Sequence, residues 1–248
     1  MKIVLITGAS RGIGRATALA CARHGLGVIV TYNSNKLGAE TVVQQIEAGG
    51  GQATALFLDV IQIADLEAFS RQVEDVLKRT WGRSSLDFLV NNAGIGGFEP
   101  IESVSEAFFD GLMNVHLKGP FFLTQSLLPL MAEGGAIVNV TSATTRVATA
   151  GVAPYAAFKG GLEVLTRYMA KEFGGRRIRA NVVSPGAIRT DLAGLDSHPE
   201  FAQLLASQTA LARVGEPEDV AGVIASLLSP ENAWINAQTI EVGGGYCI

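Results

Sequence analysis

The 248-residue chain is expected to fold as a single doubly wound α/β domain, a parallel seven-stranded sheet with helices on both faces. Three observations predict this. Short β-branched runs alternate with Ala-rich or amphipathic stretches of helical length, the rhythm of repeated βαβ units. With 48% hydrophobic and 17% charged residues, the chain can bury one sizeable core. The first apolar run also leads straight into a glycine-rich turn and a helical pattern.

The elements follow in order. "KIVLIT" is the first strand, and "RATALACARHG" (Arg15 to Gly25) is the helix after the glycine turn. "VIVTY", "ATALFL" and "LDFLV" give strands two to four. "PFFLTQSLLPLM" (Pro120 to Met131) reads as helix, burying an apolar face against the sheet. "GAIVNVTS" and "IRANVVS" are the fifth and sixth strands, with a helix around "YAAFKGG" between them, and "AQTIEV" is the seventh. Gly186 to Asn236 carries no strand signal and reads as two or three helices, of which 187–213 form a substrate lid. No linker or repeat divides residues 1–248.

Composition excludes several functions. The net charge is −4 and the densest basic run, "GGRRIRAN", is short, so no nucleic-acid partner is expected. There is no run of roughly 18 apolar residues to span a bilayer, and "KIVLIT" is too short for a signal peptide, so the reading is cytoplasmic. Cys21 and Cys247 lack CxxC spacing and fit reduced thiols. His24, His116 and His198 are too scattered for a metal site and read as merely polar. Trp81 and Trp234 read as packing residues.

In "TGASRGIG", Gly8, Gly12 and Gly14 let the backbone approach a pyrophosphate at the start of a helix. A nucleoside-triphosphate loop would need Lys-Ser or Lys-Thr after the last glycine, and Arg15-Ala16 stands there. In "YAAFKGG", Tyr155 and Lys159 are four apart and share a helix face. An ammonium about 4 Å from a phenol contributes roughly 4 kcal/mol at an effective dielectric near 20, enough to move a tyrosine from about 10 towards 7. Ala156, Ala157, Gly160 and Gly161 leave room beside the pair for a cofactor or a packed helix.

The Gly-x-x-x-Gly-x-Gly turn, "NNAG" after the fourth strand, "NVTS" ending the fifth, Tyr-x-x-x-Lys, and "PGAIRT" after the sixth are collinear over nearly the whole chain. Together they resemble the short-chain dehydrogenase/reductase family, which implies a Rossmann-type fold and a reversible carbonyl reduction. The resemblance implies four catalytic residues: Ser142 bonding the substrate carbonyl, Tyr155 donating the proton, Lys159 holding the nicotinamide ribose, and Asn114 holding a water that links Lys159 to solvent. For the cofactor it implies Gly8, Ser10, Arg11, Gly12, Ile13 and Gly14 around the pyrophosphate, Asp59 and Val60 at the adenine, and Asn91, Ala93 and Gly94 near its ribose. Pro185, Gly186, Ile188 and Thr190 follow at the carboxamide. NAD binders place an acid at the end of the second strand; Thr31, Tyr32 and Asn33 stand there instead. Arg11, helped by Asn33, Ser34 or Lys36, is expected to take a 2′-phosphate, so the cofactor reads as NADP(H).

The substrate reads as a small-molecule ketone or secondary alcohol in an apolar pocket, with Leu192, Leu195, Phe201 and Leu204 on the lid. Arg146 is either a solvated side chain or an anchor for an anionic group. The alternatives are a β-ketoacyl carrier-protein reductase, for which Arg176 and Arg177 could meet an acidic carrier, a sugar or polyol dehydrogenase, and a non-catalytic NADP-binding redox sensor. An enoyl reductase is expected to space its tyrosine and lysine further apart. Family members commonly form dimers or tetramers through the Pro120 and Tyr155 helices. They usually carry an acid where Gly243 stands, a departure that bears on the local bonding and the tetramer contact.

Overall fold

The computed structural model describes residues 1–248. Its strands are β1 (Ile3–Ile6), β2 (Gly27–Tyr32), β3 (Ala53–Phe57), β4 (Leu86–Asn91), β5 (Met131–Val140), β6 (Arg179–Pro185) and β7 (Thr239–Val242). All pair in parallel, in the order β3-β2-β1-β4-β5-β6-β7. The winding reverses between β1 and β4, and sheets of this kind take ligands in the crevice outside the carboxyl ends at that point.

The helices are α1 (Gly12–Arg23), α2 (Lys36–Ala48), α3 (Leu66–Trp81), α4 (Glu106–Met113), α5 (Gly119–Leu127), α6 (Ala153–Glu172), α7 (Pro199–Ser207) and α8 (Pro217–Leu227). Alternate strand residues face opposite sides of the sheet. Val4, Ile6, Val28 and Val30 therefore pack under α1, α2 and α8, while Ile3, Leu5, Ile29 and Ile137 pack under α3, α5 and α6. Each fully buried aliphatic side chain contributes about 1.5–3 kcal/mol, which is why the strands read as unbroken apolar runs rather than alternating ones.

Three details differ from the sequence reading. Pro120 to Met131 is not one helix: α5 stops at Leu127, a 3-10 turn spans Leu128–Leu130, and β5 already begins at Met131. Pro129, with no N–H to give, sits in that turn. Trp81 does pack, against Gly27, but Trp234 is 100% exposed and supports no core. Between α4 and α5 the helix widens into a π-helical turn, Asn114–Lys118, a feature that often accompanies functional sites. The strandless stretch after Gly186 holds α7, α8 and a short 3-10 turn at Pro230–Asn232, in line with two or three helices. No helix is long and apolar enough to cross a membrane.

Candidate active site

The site begins where β1 meets β4. Thr7 Oγ1 accepts from the backbone N–H groups of Asn92 (2.9 Å) and Ala93 (2.8 Å), and Asn92 Nδ2 donates to the carbonyls of Thr7 (2.8 Å) and Gly8 (3.2 Å). These bonds clamp the two strand ends so closely that side chains are excluded. A Cβ on Gly8, whose φ is +63°, would lie 2.9 Å from Ala93 Cα, and one on Gly14 would lie 2.4 Å from the Gly8 carbonyl oxygen. Helix α1 starts without a side-chain cap from Arg11 and without an acid in its first turn. Its first N–H groups and positive end are left for an anion.

Ser142 follows β5, and Tyr155 and Lys159 lie one turn apart near the start of α6. Ser142 Oγ accepts from the N–H (3.2 Å) and the hydroxyl (3.0 Å) of Thr144, so its own proton remains to be given away. Its hydroxyl also bears on Tyr155, favouring the ionised phenol. Lys159 is buried, donates to the Val140 carbonyl at 2.7 Å, and places its ammonium 5.6 Å from the centre of the Tyr155 ring. The sequence expectation of a depressed tyrosine is corrected here. Burial pushes the Tyr155 phenol above its ordinary value, outweighing the opposite pull of the Ser142 hydroxyl, while burial pulls the Lys159 ammonium down to about 7. Desolvation dominates because the cation lies over the ring face and is itself short of water. A phenol held protonated is suited to giving a proton.

One cleft of about 700 Å3 gathers most of the expected residues. Gly8, Ser10, Arg11, Gly12, Ile13 and Gly14 line one wall, and Asn33, Asp59, Val60, Ala93 and Gly94 continue it. Ser142, Tyr155 and Lys159 stand at the centre, with Pro185, Gly186, Ile188 and Thr190 opposite. Asn91 and Asn114 are placed elsewhere. The Asn91 amide is buried, donating to Asn139 (2.8 Å) and Thr124 (3.3 Å), and Asn91 does not line the cleft. Asn114 is outside the lining, its carbonyl accepting from Gly119 N–H to close the π-helical turn.

His116 lines the cleft instead, 1% exposed and edge-on to Tyr155 with ring centres 4.9 Å apart. The sequence reading passed over it as merely polar. A signal was available: Leu112, His116, Gly119, Pro120 and Leu123 fall at helical spacing on the buried stripe, and Asn114 falls off it.

At the end of β2, Thr31, Asn33, Ser34 and Asn35 line the cleft, none of them acidic, while Tyr32 turns away to pack edge-on against Phe57. Arg11 is exposed at the rim, 3.5 Å from Asp191, whereas Lys36 is outside the lining and pairs with Glu40. On the lid, Leu192, Leu195 and Phe201 face the cleft; Leu204 does not, and Leu205 takes its place. Arg146 is exposed, as one of its two readings had it, and stands outside the cleft rather than anchoring a substrate. It binds Glu241 and donates to the carbonyls of Tyr246 (2.8 Å) and Cys247 (2.9 Å), tying the segment after Ser142 to the chain end. At Gly243 the backbone runs against Gly186, whose Cβ would meet Gly243 Cα at 2.7 Å, so this close approach replaces a side-chain contact.

A glycine cradle at the sheet's switch point, joined to a Ser, Tyr and Lys cluster, defines a dinucleotide-dependent oxidoreductase. Residues 8–247 match the adh_short_C2 family model, described as enoyl-(acyl carrier protein) reductase. The chain is 39% identical over 247 residues to an uncharacterised oxidoreductase of Methylorubrum extorquens, covering 98% of this chain and 97% of that one. It is 38% identical over 246 residues to a 3-oxoacyl-[acyl-carrier-protein] reductase of Staphylococcus aureus, covering 98% and 97%. Among solved structures, an angucycline C-6 ketoreductase with bound NADP superposes with a TM-score of 0.95 at 36% identity, covering 99% of this chain and 95% of that one. The chain belongs to the short-chain dehydrogenase/reductase family and is an NAD(P)-dependent oxidoreductase.

Proposed function

We propose that the protein reduces a ketone to a secondary alcohol with NADPH, reversibly. The observation that carries this reading is that Ser142, Tyr155 and the buried Lys159, its ammonium over the Tyr155 ring, stand together in the cleft that holds the glycine cradle and Arg11. The cradle fits a dinucleotide, since Gly8 and Gly14 leave no room for side chains and the α1 N-terminus is uncapped. The acid-free end of β2 and the exposed Arg11 support a 2′-phosphate. When bound, the reduced nicotinamide supplies the hydride. Ser142 donates its hydroxyl proton in a hydrogen bond to the carbonyl oxygen, Tyr155 protonates the alkoxide as it forms, and Lys159 holds the ribose.

The mouth of the cleft carries the exposed apolar side chains Ile95, Phe98, Leu192 and Phe201, while Arg146 lies outside the lining and pairs with Glu241. An uncharged apolar ketone fits this mouth better than a sugar. The carrier-bound reading ranks second. It draws on the Staphylococcus aureus relative, but its basic surface is reduced, with Arg176 donating to the Leu128 and Met131 carbonyls and the exposed Arg177 paired to Glu133. A redox sensor does not need the Tyr155 and Lys159 pair, and the four-residue spacing between them argues against an enoyl reductase. The protein is read as cytoplasmic and homo-oligomeric. Initial rates with NADPH and NADH side by side, against cyclic ketones, β-ketoacyl thioesters and sugars, test the reading. Equal or better use of NADH overturns the cofactor assignment, and turnover confined to thioesters promotes the second reading.

A further inference from the structure

His116 carries an unusual combination of features. Its Nε2 lies 2.8 Å from the Ile95 carbonyl oxygen, which requires the proton on Nε2 and leaves Nδ1 as an acceptor. The Ile95 N–H, 3.4 Å from the same nitrogen, is then only a long contact. Nδ1 is buried and has no partner in the protein. A buried acceptor left unpaired costs about 1–3 kcal/mol, so its retention calls for a role. The ring sits against the same Tyr155 ring that the Lys159 ammonium faces, so the imidazole and the ammonium both border the phenol.

The surroundings supply one donor in excess. Lys159 has three N–H groups and gives one to Val140. Around His116 the titratable groups are Tyr155 and Lys159, both on α6; the loop after β4 offers only uncharged Gly94 and Ile95. On its own helix, Asp110 and Lys118 point to solvent, and Glu163, a turn beyond Lys159, is taken by Thr141 and Thr145. Burial and the nearby Lys159 charge hold the imidazole neutral, down to about 3.

We propose that His116 is a positioning residue of the catalytic pair: its Nδ1 lone pair accepts a hydrogen bond from the Lys159 ammonium through one water, and its ring edge fixes the Tyr155 phenol. This rests on the reductase reading. The acceptor stabilises the charged form of Lys159 and offsets part of the burial that drives it towards neutrality. Removing the acceptor lowers the lysine further. Tyr155 then loses its cation at a lower pH, and the alkaline limb of ketone reduction moves down.

The test compares His116→Phe, which keeps a ring edge but no lone pair, with His116→Asn, which restores an acceptor. The Phe variant is expected to shift the alkaline limb of kcat down by about 1 pH unit, for about a 10-fold loss above it, with KM for NADPH little changed. The Asn variant is expected to recover most of the shift. Loss of kcat in both variants with unmoved pH profiles would make His116 merely structural and overturn the proposal. Should the variants fail to fold, nitrogen-15 NMR of the unmodified protein decides. A neutral ring protonated at Nε2 at pH 6–8 supports the assignment, whereas an imidazolium or the Nδ1–H form rejects it. That measurement needs no turnover, so a failure of the reductase reading, seen as no ketone reduction by the unmodified protein, is told apart from a failure of this one.

Discussion

At the scale of single residues, Lys159 shows how one buried charge ties stability to chemistry. Its pKa is about 7 in the folded protein and near the ordinary 10.5 when unfolded, so between those values the unfolded chain binds more protons. This group therefore makes stability rise with pH across that window, and below pH 7 its burial costs on the order of 4–5 kcal/mol. Lys159→Met is expected to abolish turnover yet raise the melting temperature at pH 6, by a margin that shrinks towards pH 10. Thermal melts at both pH values check it, and a pH-independent margin would show that the lysine is not carrying this penalty. Tyr155→Phe removes one hydroxyl from the same site. Turnover should vanish while NADPH binding, read by fluorescence titration, stays within a few-fold. Ser142→Ala should cost about 10²- to 10³-fold in kcat, the usual loss for one oxyanion-type donor.

At the scale of elements, the legible parts of the sequence were those governed by local rules. The glycine turn, the acid-free end of β2 and the i, i+4 spacing on α6 each follow from a few adjacent residues, and each stands in the cleft. What could not be read depended on longer-range geometry. The π-helical turn at Asn114–Lys118 is marked by no local propensity, although the buried stripe of its helix does single out His116. Arg146 finds its partners about a hundred positions along the chain, at Glu241, Tyr246 and Cys247. Tyr155 is shifted up by burial that only the packed fold supplies. The glycine turn and the lid also meet, since Thr190 lies against Gly12 and Asp191 pairs with Arg11. A charge-assisted bond to a phosphate is worth roughly 1.5–3 kcal/mol, so Arg11→Ala should erase a preference for NADPH over NADH of about 10- to 150-fold. NADH kinetics should hardly move. An equal loss with both cofactors would mean that Arg11 supports the turn or the lid rather than the 2′-phosphate.

At the scale of the whole molecule, α6 has two faces with different work. Its inner face presents Phe158, Lys159, Leu162, Thr166 and Met169 to the core. Its outer face presents Ala157, Val164 and Tyr168 to solvent, the last two 45% and 61% exposed, and a Cβ at Gly160 would meet nothing. Phe121 on α5, 42% exposed, adds to the apolar surface. This surface supports the proposed homo-oligomer, because a two-fold contact uses each residue twice. Burying a side chain of this size contributes about 1.5–3 kcal/mol, so one Val164→Glu exchange, which forfeits that gain in both copies and sets two carboxylates close together, should weaken a dimer by at least about 10²-fold. Light scattering across a dilution series reads the change. Because the same helix carries Tyr155 and Lys159, dissociation should also loosen the catalytic pair, and specific activity should fall with dilution in the variant but not in the unmodified protein. A monomeric unmodified protein, fully active at every concentration, would show that this apolar face is not the subunit contact and that α6 is held by the core alone.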